Sequence, residues 1–321
     1  MKVSVLVPIY GVEQYIAQCA ESLFCQTYED IEYLFVDDCT PDKSISILSE
    51  VSARYPHRQQ QMQIIHHEKN KGLGAARLTA LQSATGDYVM HVDSDDELPL
   101  DAVKLLAEKA QETKSDIIDG GYAMMCQGKI TERHEPYQGS KESFLKLMLC
   151  QNIVLSMVWG RLYRRTLYTD YQVFPVPGID YAEDLGLVPR LYFHASRACV
   201  KEVVYHYRDD NATSYTNVTM SEKAKQSFLK ANALVFDFYQ KHDQQGTYRF
   251  PLEIGYASML RTARRNDISK EQVDAECQFC PRFLVTRLLA KTMRSRIPLA
   301  VCSFFYRSLR KMYAIRVCCP S

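Results

Sequence analysis

The chain reads as an α/β fold, a mostly parallel sheet followed by a C-terminal helical region, on three observations. Short apolar runs alternate with amphipathic helical patterns through the first 120 residues, carboxylates gather at the ends of two of those runs, and helical periodicity alone remains after residue 220. With 321 residues, 46% of them hydrophobic and 24% charged, there is material for one large core and an appendage. A net charge of +1 gives no global reason to expect nucleic acid as a partner.

Residues 3–7 form a buried-strand run cut by Pro8, Gly11 and Glu13, too short and too interrupted for a signal peptide. Residues 15–26 place Ile16, Cys19, Ala20 and Leu23 on one helical face, and 33–36 is the next strand. Thr40 caps a second helix with Pro41 at its first position, and Ile45, Ile47, Leu48 and Val51 give that helix its apolar side. A strand at 62–66, a helix at 74–83 ended by Gly86, a strand at 88–92, a helix at 99–111 and a strand at 116–119 continue the alternation. Such units are right-handed and build a sheet covered on both faces, which makes the fold Rossmann-like. From 121 to 217 the pattern is mixed, with a helix at 141–150; helices then follow at 223–241, 250–266 and 281–294.

Asp93-Ser94-Asp95-Asp96 comes straight after the apolar run 88–92. Three carboxylates there repel one another unless a cation or a hydrogen-bonding ligand joins them. Hard oxygen ligands in D-x-D spacing suit Mg²⁺ or Mn²⁺, held by one or two carboxylates plus substrate phosphates. The plainer alternative is an acidic helix start that offsets the macrodipole. A second acid pair, Asp37-Asp38, ends the run 31–36. In open α/β sheets ligands bind outside the carboxyl ends of the strands, so acids at two strand ends describe one site, and its chemistry is that of a nucleotide diphosphate.

Lys71-Gly72-Leu73-Gly74-Ala75-Ala76-Arg77 opens a helix after a strand, as a dinucleotide loop does, but Arg77 stands where that motif needs a small residue. This disfavours an NAD-dependent dehydrogenase, while Lys71 and Arg77 could still neutralise phosphates at a helix N-terminus. Glu183-Asp184 is either a helix cap or a general base for an attacking hydroxyl. Trp159, the single tryptophan, is either a stacking face for a sugar or part of the core. In Tyr205-His206-Tyr207-Arg208 the alternation puts His206 and Arg208 on one strand face, within reach of a diphosphate, a metal or only solvent.

Eleven scattered cysteines, an odd number, favour reduced thiols and a cytoplasmic setting. Cys277-x-x-Cys280 with Cys318-Cys319 has the wrong second spacing for a zinc site, and the sequon Asn211-Ala212-Thr213 carries no weight without a secretory signal. After Glu276 there is no acidic residue, while nine Lys and Arg remain, which leaves 30 basic against 38 acidic residues, a net of −8, in positions 1–276. The apolar run 297–306 lies within this basic tail. It is about half the ~20 residues a span requires. An anionic membrane surface met through 282–316 is therefore an expected partner, the alternative being a basic helix packed on the acidic part of the chain.

Taken in order, Val7-Pro8-Ile9-Tyr10-Gly11, Gln26-Thr27-Tyr28 with Val36-Asp37-Asp38, Asn70-Lys71-Gly72 with Ala76-Arg77, Val92-Asp93-Ser94-Asp95-Asp96, Trp159 with Leu162-Tyr163, and Glu183-Asp184 resemble family 2 glycosyltransferases of the A-type fold. The resemblance implies a catalytic domain over 1–217, with a nucleotide-binding half at 1–120 and an acceptor half at 121–217, and a helical region at 218–321. It implies that Pro8, Tyr10 and Asp38 line a nucleotide pocket, joined in the donor-binding set by Glu13, Lys71, Arg77, Asp93 and Ser94. It implies Asp93 and Asp95 as the metal pair, Asp184 as the catalytic base with Glu183 beside it, and Trp159, His206 and Arg208 as the acceptor or diphosphate contacts. The implied enzyme is an inverting transferase that uses Mn²⁺ or Mg²⁺ to move a sugar from a nucleotide diphosphate to a glycan or lipid-linked hydroxyl. A non-catalytic nucleotide-sugar-binding protein is disfavoured because metal acids and base are both present.

Overall fold

The computed structural model describes residues 1–150, 156–211, 220–295 and 297–318. In chain order the elements are β1 (Val3–Ile9), α1 (Ile16–Phe24), β2 (Ile31–Asp37), α2 (Ser44–Ser52), α3 (Pro56–Gln59), β3 (Met62–His66), α4 (Leu73–Ser83), β4 (Tyr88–His91), α5 (Ala102–Thr113), β5 (Ile117–Cys126) and β6 (Lys129–His134). They continue with α6 (Lys141–Leu149), β7 (Arg161–Arg164), α7 (Thr166–Asp170), α8 (Glu183–His194), β8 (Arg197–Arg208), α9 (Glu222–His242), α10 (Arg249–Arg265), α11 (Lys270–Glu276), α12 (Leu284–Met293) and α13 (Leu299–Cys318). Two compact units result, one of Met1–Gln138, Val158–Gly178 and His194–Asn217, the other of Gly139–Met157, Ile179–Phe193 and Val218–Ser321. Two segments within 121–217 thus group with the C-terminal helices rather than with the sheet.

The first unit is an eight-stranded sheet of order β3-β2-β1-β4-β7-β5-β6, with β8 paired to β5. The pairs β1–β2, β1–β4, β2–β3 and β5–β8 are parallel, and β4–β7, β5–β6 and β5–β7 antiparallel. Every residue of β1 is buried, as a central parallel strand covered on both faces requires. The chain runs outward from β1 to β3 and returns to β4 on the other side of β1, so the order reverses there, a switch point of the kind at which open α/β sheets bind ligands. β4 pairs with β1 only over Val3–Leu6, so Pro8, which has no N–H to offer, lies where that edge needs none.

The opposite edge is stapled by Glu32 of β2. Its carboxylate accepts from the Ser4 hydroxyl on β1, from Lys2 Nζ at 2.7 Å, and from Thr85 N at 2.6 Å and Gly86 N at 3.0 Å in the turn before β4. A Cβ on Gly86 would stand 2.6 Å from Ser4 Oγ and 2.8 Å from Ser4 N. Gly86 is thus required by close approach to β1; α4 itself ends at Ser83 with Ala84 extended, so the expected role of Gly86 as helix terminator is corrected. The expected cap and first turn of α2 are also corrected. Thr40 Oγ1 accepts from Gly11 N at 2.8 Å and donates to Asp42 Oδ1 at 2.8 Å, which draws residues 40–43 into a turn that ties down the β1–α1 loop and delays the helix to Ser44.

In the second unit, α10 is buried on most sides and packs against α6, α9, α12 and α13. Its Glu253, fully buried, accepts from Arg282 N at 2.7 Å, Phe283 N at 3.1 Å and Thr286 Oγ1, and so caps the start of α12. Of the suggested cysteine quartet, Cys277 is buried and Cys280 exposed, both as free thiols; Cys319, like Thr213 of the sequon, lies outside the described residues.

Candidate active site

The site at the carboxyl ends of the strands starts with Asp38, which follows β2. Its Oδ1 accepts from Lys71 N at 2.8 Å and meets His67 Nδ1 at 2.6 Å, and its Oδ2 accepts from Gly72 N at 2.8 Å. Gly72 has φ 91°, a left-handed conformation that favours glycine, so one buried carboxylate holds the bend that launches α4. The expected nucleotide acceptor is therefore also the brace of the glycine loop. Beside it, Tyr10 is exposed, and Glu13 accepts from Lys43 N at 3.1 Å, joining the loops after β1 and β2. The side chain of Lys71 is exposed at the same edge.

Arg77, in the second turn of α4, is only 1% exposed and sends Nη2 to Asp93 Oδ1 at 2.8 Å. A buried guanidinium needs an anion, and the acid at the end of β4 supplies it. The Arg77 charge and burial act together on His91, in β4: burial first, then the cation, hold its pKa well below the usual imidazole range, so it stays neutral beneath the site.

The acidic loop itself divides in function. Asp93 and Asp95 are partly exposed, and Asp95 accepts from Asn211 Nδ2 at 2.7 Å. Burial, then the charge of Asp93, pushes the Asp95 carboxyl up from its ordinary value. Asp96 is 1% exposed and bound on both oxygens, to Tyr205 Oη at 2.7 Å and Arg208 N at 2.7 Å. Its carboxyl is pushed well above the ordinary value by burial, then by Asp95 and Asp93. Asp93 and Asp95 thus keep some exposure to solvent while Asp96 anchors the loop to β8. Ser94, between them, is buried.

Two of the expected contact residues, Trp159 and Arg208, meet partners within the protein. Trp159 is buried, with its ring stacked 4.6 Å from Tyr205 and 5.5 Å from Tyr207 and met edge-on by Tyr122 at 5.2 Å. It props the strand that carries Tyr205 instead of presenting a face to a sugar. Arg208 does not extend from the strand toward a ligand either. Its Nε donates to the Asp95 carbonyl at 2.8 Å, Nη2 reaches Glu97 at 2.8 Å, and the guanidinium lies 5.1 Å over the Tyr15 ring. It is a strut that offsets the acidic loop. His206 exchanges backbone hydrogen bonds with Glu97, and its half-buried ring is held below its ordinary pKa by burial, then by Arg133. Sequence reasoning missed Asp96, Tyr205 and Asn211; the third carboxylate of the cluster was the only signal for any of them.

Glu183 and Asp184 occupy the first turn of α8 in the second unit, preceded by Ala182 at φ 60°. Acids in a first helical turn complement the macrodipole, whatever else they do. Among the described residues no group of three or more His, Cys, Asp or Glu side chains is arranged to hold a metal. A D-x-D site does not require one, because Mg²⁺ and Mn²⁺ complete their shells with phosphates and water.

Several known proteins resemble this chain. The chain is 28% identical over 260 residues to the uncharacterized glycosyltransferase EpsJ of Bacillus subtilis, covering 78% of this chain and 74% of that protein. It is 33% identical over 214 residues to the putative glycosyltransferase EpsH of the same organism, covering 64% of this chain and 60% of EpsH. Poly(ribitol-phosphate) beta-N-acetylglucosaminyltransferase TarS of Staphylococcus aureus is 28% identical over 211 residues, 64% of this chain but 35% of TarS. The crystal structure of S. aureus TarS 1–349 superposes with a TM-score of 0.65 at 19% identity, covering 98% of this chain and 91% of that one, which is a likeness of fold. With buried Arg77 breaking the dinucleotide motif, a dehydrogenase reading has no support left. The family model for glycosyl transferase family 2 matches residues 4–171, more than half of the chain and the stretch that holds Asp38, Arg77 and the acidic loop, and the chain belongs to that family as a glycosyltransferase.

Proposed function

We propose that the protein is an inverting, metal-dependent glycosyltransferase that moves a hexose or N-acetylhexosamine from a UDP-sugar to a hydroxyl of a glycan or lipid-linked acceptor in surface polysaccharide synthesis. It would work in the cytoplasm or on the cytoplasmic face of a membrane. The observation that carries this reading is the partly exposed pair Asp93 and Asp95 at the end of β4, backed by the Arg77 guanidinium 2.8 Å from Asp93. Burial, then the charge of Asp93, raises the Asp95 carboxyl, and a hard divalent cation would offset both, so the two carboxylates form a donor set that fits Mn²⁺ or Mg²⁺. Bound there with the donor, the cation supplies neutralisation of the diphosphate leaving group.

The rest of the work falls to the chain's own side chains. Asp38 and the Gly72 bend would receive the nucleoside, and Tyr10, exposed beside them, would cover it. Asp184 would take the proton from the acceptor hydroxyl, a role supported by the family motif at Glu183-Asp184. The UDP donor is supported by structures of TarS in complex with UDP and with UDP-GlcNAc, at TM-scores of 0.57 and 0.61. Inversion is supported by the beta linkages in the names of TarS and of the poly(ribitol-phosphate) beta-glucosyltransferase of Bacillus spizizenii, since UDP-hexoses carry the α configuration. A manganese requirement has a parallel in a mannosyltransferase of Pyrobaculum calidifontis solved with GDP-Man and Mn²⁺, a neighbour with a TM-score of 0.51.

The test is nucleotide release from a panel of UDP- and GDP-sugars with Mn²⁺, with Mg²⁺ and with EDTA. Release from one UDP-hexose or UDP-N-acetylhexosamine that EDTA abolishes is the expected result. Release unaffected by EDTA would overturn the metal, and preference for a GDP-sugar would overturn the nucleotide.

A further inference from the structure

The outer faces of the two last helices have no use in the chemistry above. On α13, Val301, Phe304, Phe305, Met312 and Ile315 recur at a spacing that puts all of them on one side of the helix, and all are exposed. The opposite side is fixed to the unit: Cys302, Ser303 and Tyr306 are buried, Arg261 Nε of α10 donates to Ser303 Oγ at 2.8 Å, and Tyr306 Oη donates to the Cys150 carbonyl at 3.3 Å. On α12, Thr286, Leu289, Ala290 and Met293 point inward while Leu284 and Leu288 point out. The outward Leu, Phe, Met and Ile side chains of the two helices are 54–70% exposed, apart from Val301 at 44%. Scattered exposed apolar residues are ordinary in any protein; a ridge on each of two packed helices is not.

The charge beside these ridges has one sign. Arg287 and Lys291 accompany the outer face of α12, and Arg307, Lys311 and Arg316 flank that of α13; among the described residues none of the five has an ion-pair partner. No acidic residue follows Glu276. No described helix is long and apolar enough to cross a membrane. A helix with an apolar ridge, a basic border and too little apolar length to span suits the plane of an anionic bilayer surface, where acyl chains receive the ridge and phosphates the border.

We propose that the outward faces of α12 and α13 are a docking surface for an anionic lipid bilayer. The partner is a phospholipid surface of net negative charge, and the chain lies on it without crossing it. An acidic protein would satisfy the basic border but would leave Phe304, Phe305 and Met312 to be matched individually, whereas a bilayer accepts any apolar ridge. None of these residues belongs to the donor, metal or base assignments, so loss of lipid binding and loss of sugar transfer are separate results.

The experiment is co-sedimentation of the full chain with phosphatidylcholine vesicles, with and without phosphatidylglycerol, at low and high salt. Two variants accompany it, Phe304→Glu with Phe305→Glu, and Arg307→Glu with Lys311→Glu. Binding only to the phosphatidylglycerol vesicles, weakened about tenfold or more by high salt and by either pair, is the expected result. Unchanged thermal melting and unchanged vesicle-free nucleotide release would show that the variants are folded. The proposal is overturned if the full chain fails to bind anionic vesicles at low salt, or if both variants bind as the parent does. It is also overturned if light scattering finds a dimer that the phenylalanine pair dissociates while no vesicle captures the chain, which would give the face to a second copy.

Discussion

The Tyr205 hydroxyl donates to Asp96 Oδ2 at 2.7 Å while accepting from the Asp93 amide at 3.0 Å, so one phenol on β8 closes both ends of the acidic loop. Tyr205 is fully buried and stacked on Trp159, which leaves it no other orientation. The loop that carries the proposed metal pair, Asp93 and Asp95, is thereby held by two groups outside that pair, Tyr205 and Asp96.

Tyr205→Phe keeps the stack and removes both hydrogen bonds. Asp96 then loses one of its partners while buried, a change worth about 1–3 kcal/mol of stability. The melting temperature should fall. The Mn²⁺ concentration needed for half-maximal rate should rise in addition, because the loop is no longer closed at Asp93. Thermal melts and metal titrations check this, and a variant that melts lower but keeps the parental metal titration would reduce Tyr205 to a packing residue.

Asp95→Asn keeps the size of the side chain and removes its charge. The carboxyl pKa of Asp95 is raised by burial, then by the charge of Asp93, and a neutral amide avoids both costs, so the protein should be no less stable. Turnover should fall at least about a hundredfold, with the metal response lost. Calorimetric titration of Mn²⁺ with UDP is the measurement; tight, metal-dependent UDP binding in the variant would sink the assignment.

Asp184→Asn separates chemistry from binding. Its place in the first turn of α8, away from the Asp38 and Asp93 loops in sequence, predicts an unchanged donor affinity. Turnover should drop by roughly 10²–10⁴, the usual worth of a general base. Equal losses in donor affinity and in rate would leave only the helix-capping role.

Glu32 predicts an acid limb in the stability curve. Burial alone would raise its pKa, but hydrogen bonds from Lys2, Ser4 and Thr85 outweigh burial and hold it at about 2 against an ordinary 4.5. A folded-state pKa below the unfolded one means that the stabilisation is present above about 4.5 and is lost as the pH falls toward about 2. In denaturant melts Glu32→Gln should lower stability at neutral pH and flatten the decline between those values. An acid limb as steep as the parent's would show that other carboxylates carry it.

The alternation of strands and helices, the glycine loop and the acids at the ends of β2 and β4 were legible in the sequence, because period and strand-end position are local properties. Asp38, Arg77, Asp93 and Asp95 could be named for that reason, and the parallel core from β1 to β4 follows from short crossovers. The uses of Trp159, Tyr205 and Arg208 were not legible. The ring of Trp159 meets residues 46 and 48 positions away, and Arg208 reaches an acidic loop more than a hundred residues earlier. Both follow from β8 pairing with β5 through a shifted register, which no local pattern encodes. Which of the three carboxylates is buried was likewise decided by the tertiary structure. Desolvation selects for the inside the one whose two oxygens find donors, and Asp96 met Tyr205 and the Arg208 amide only once β8 had closed against the loop.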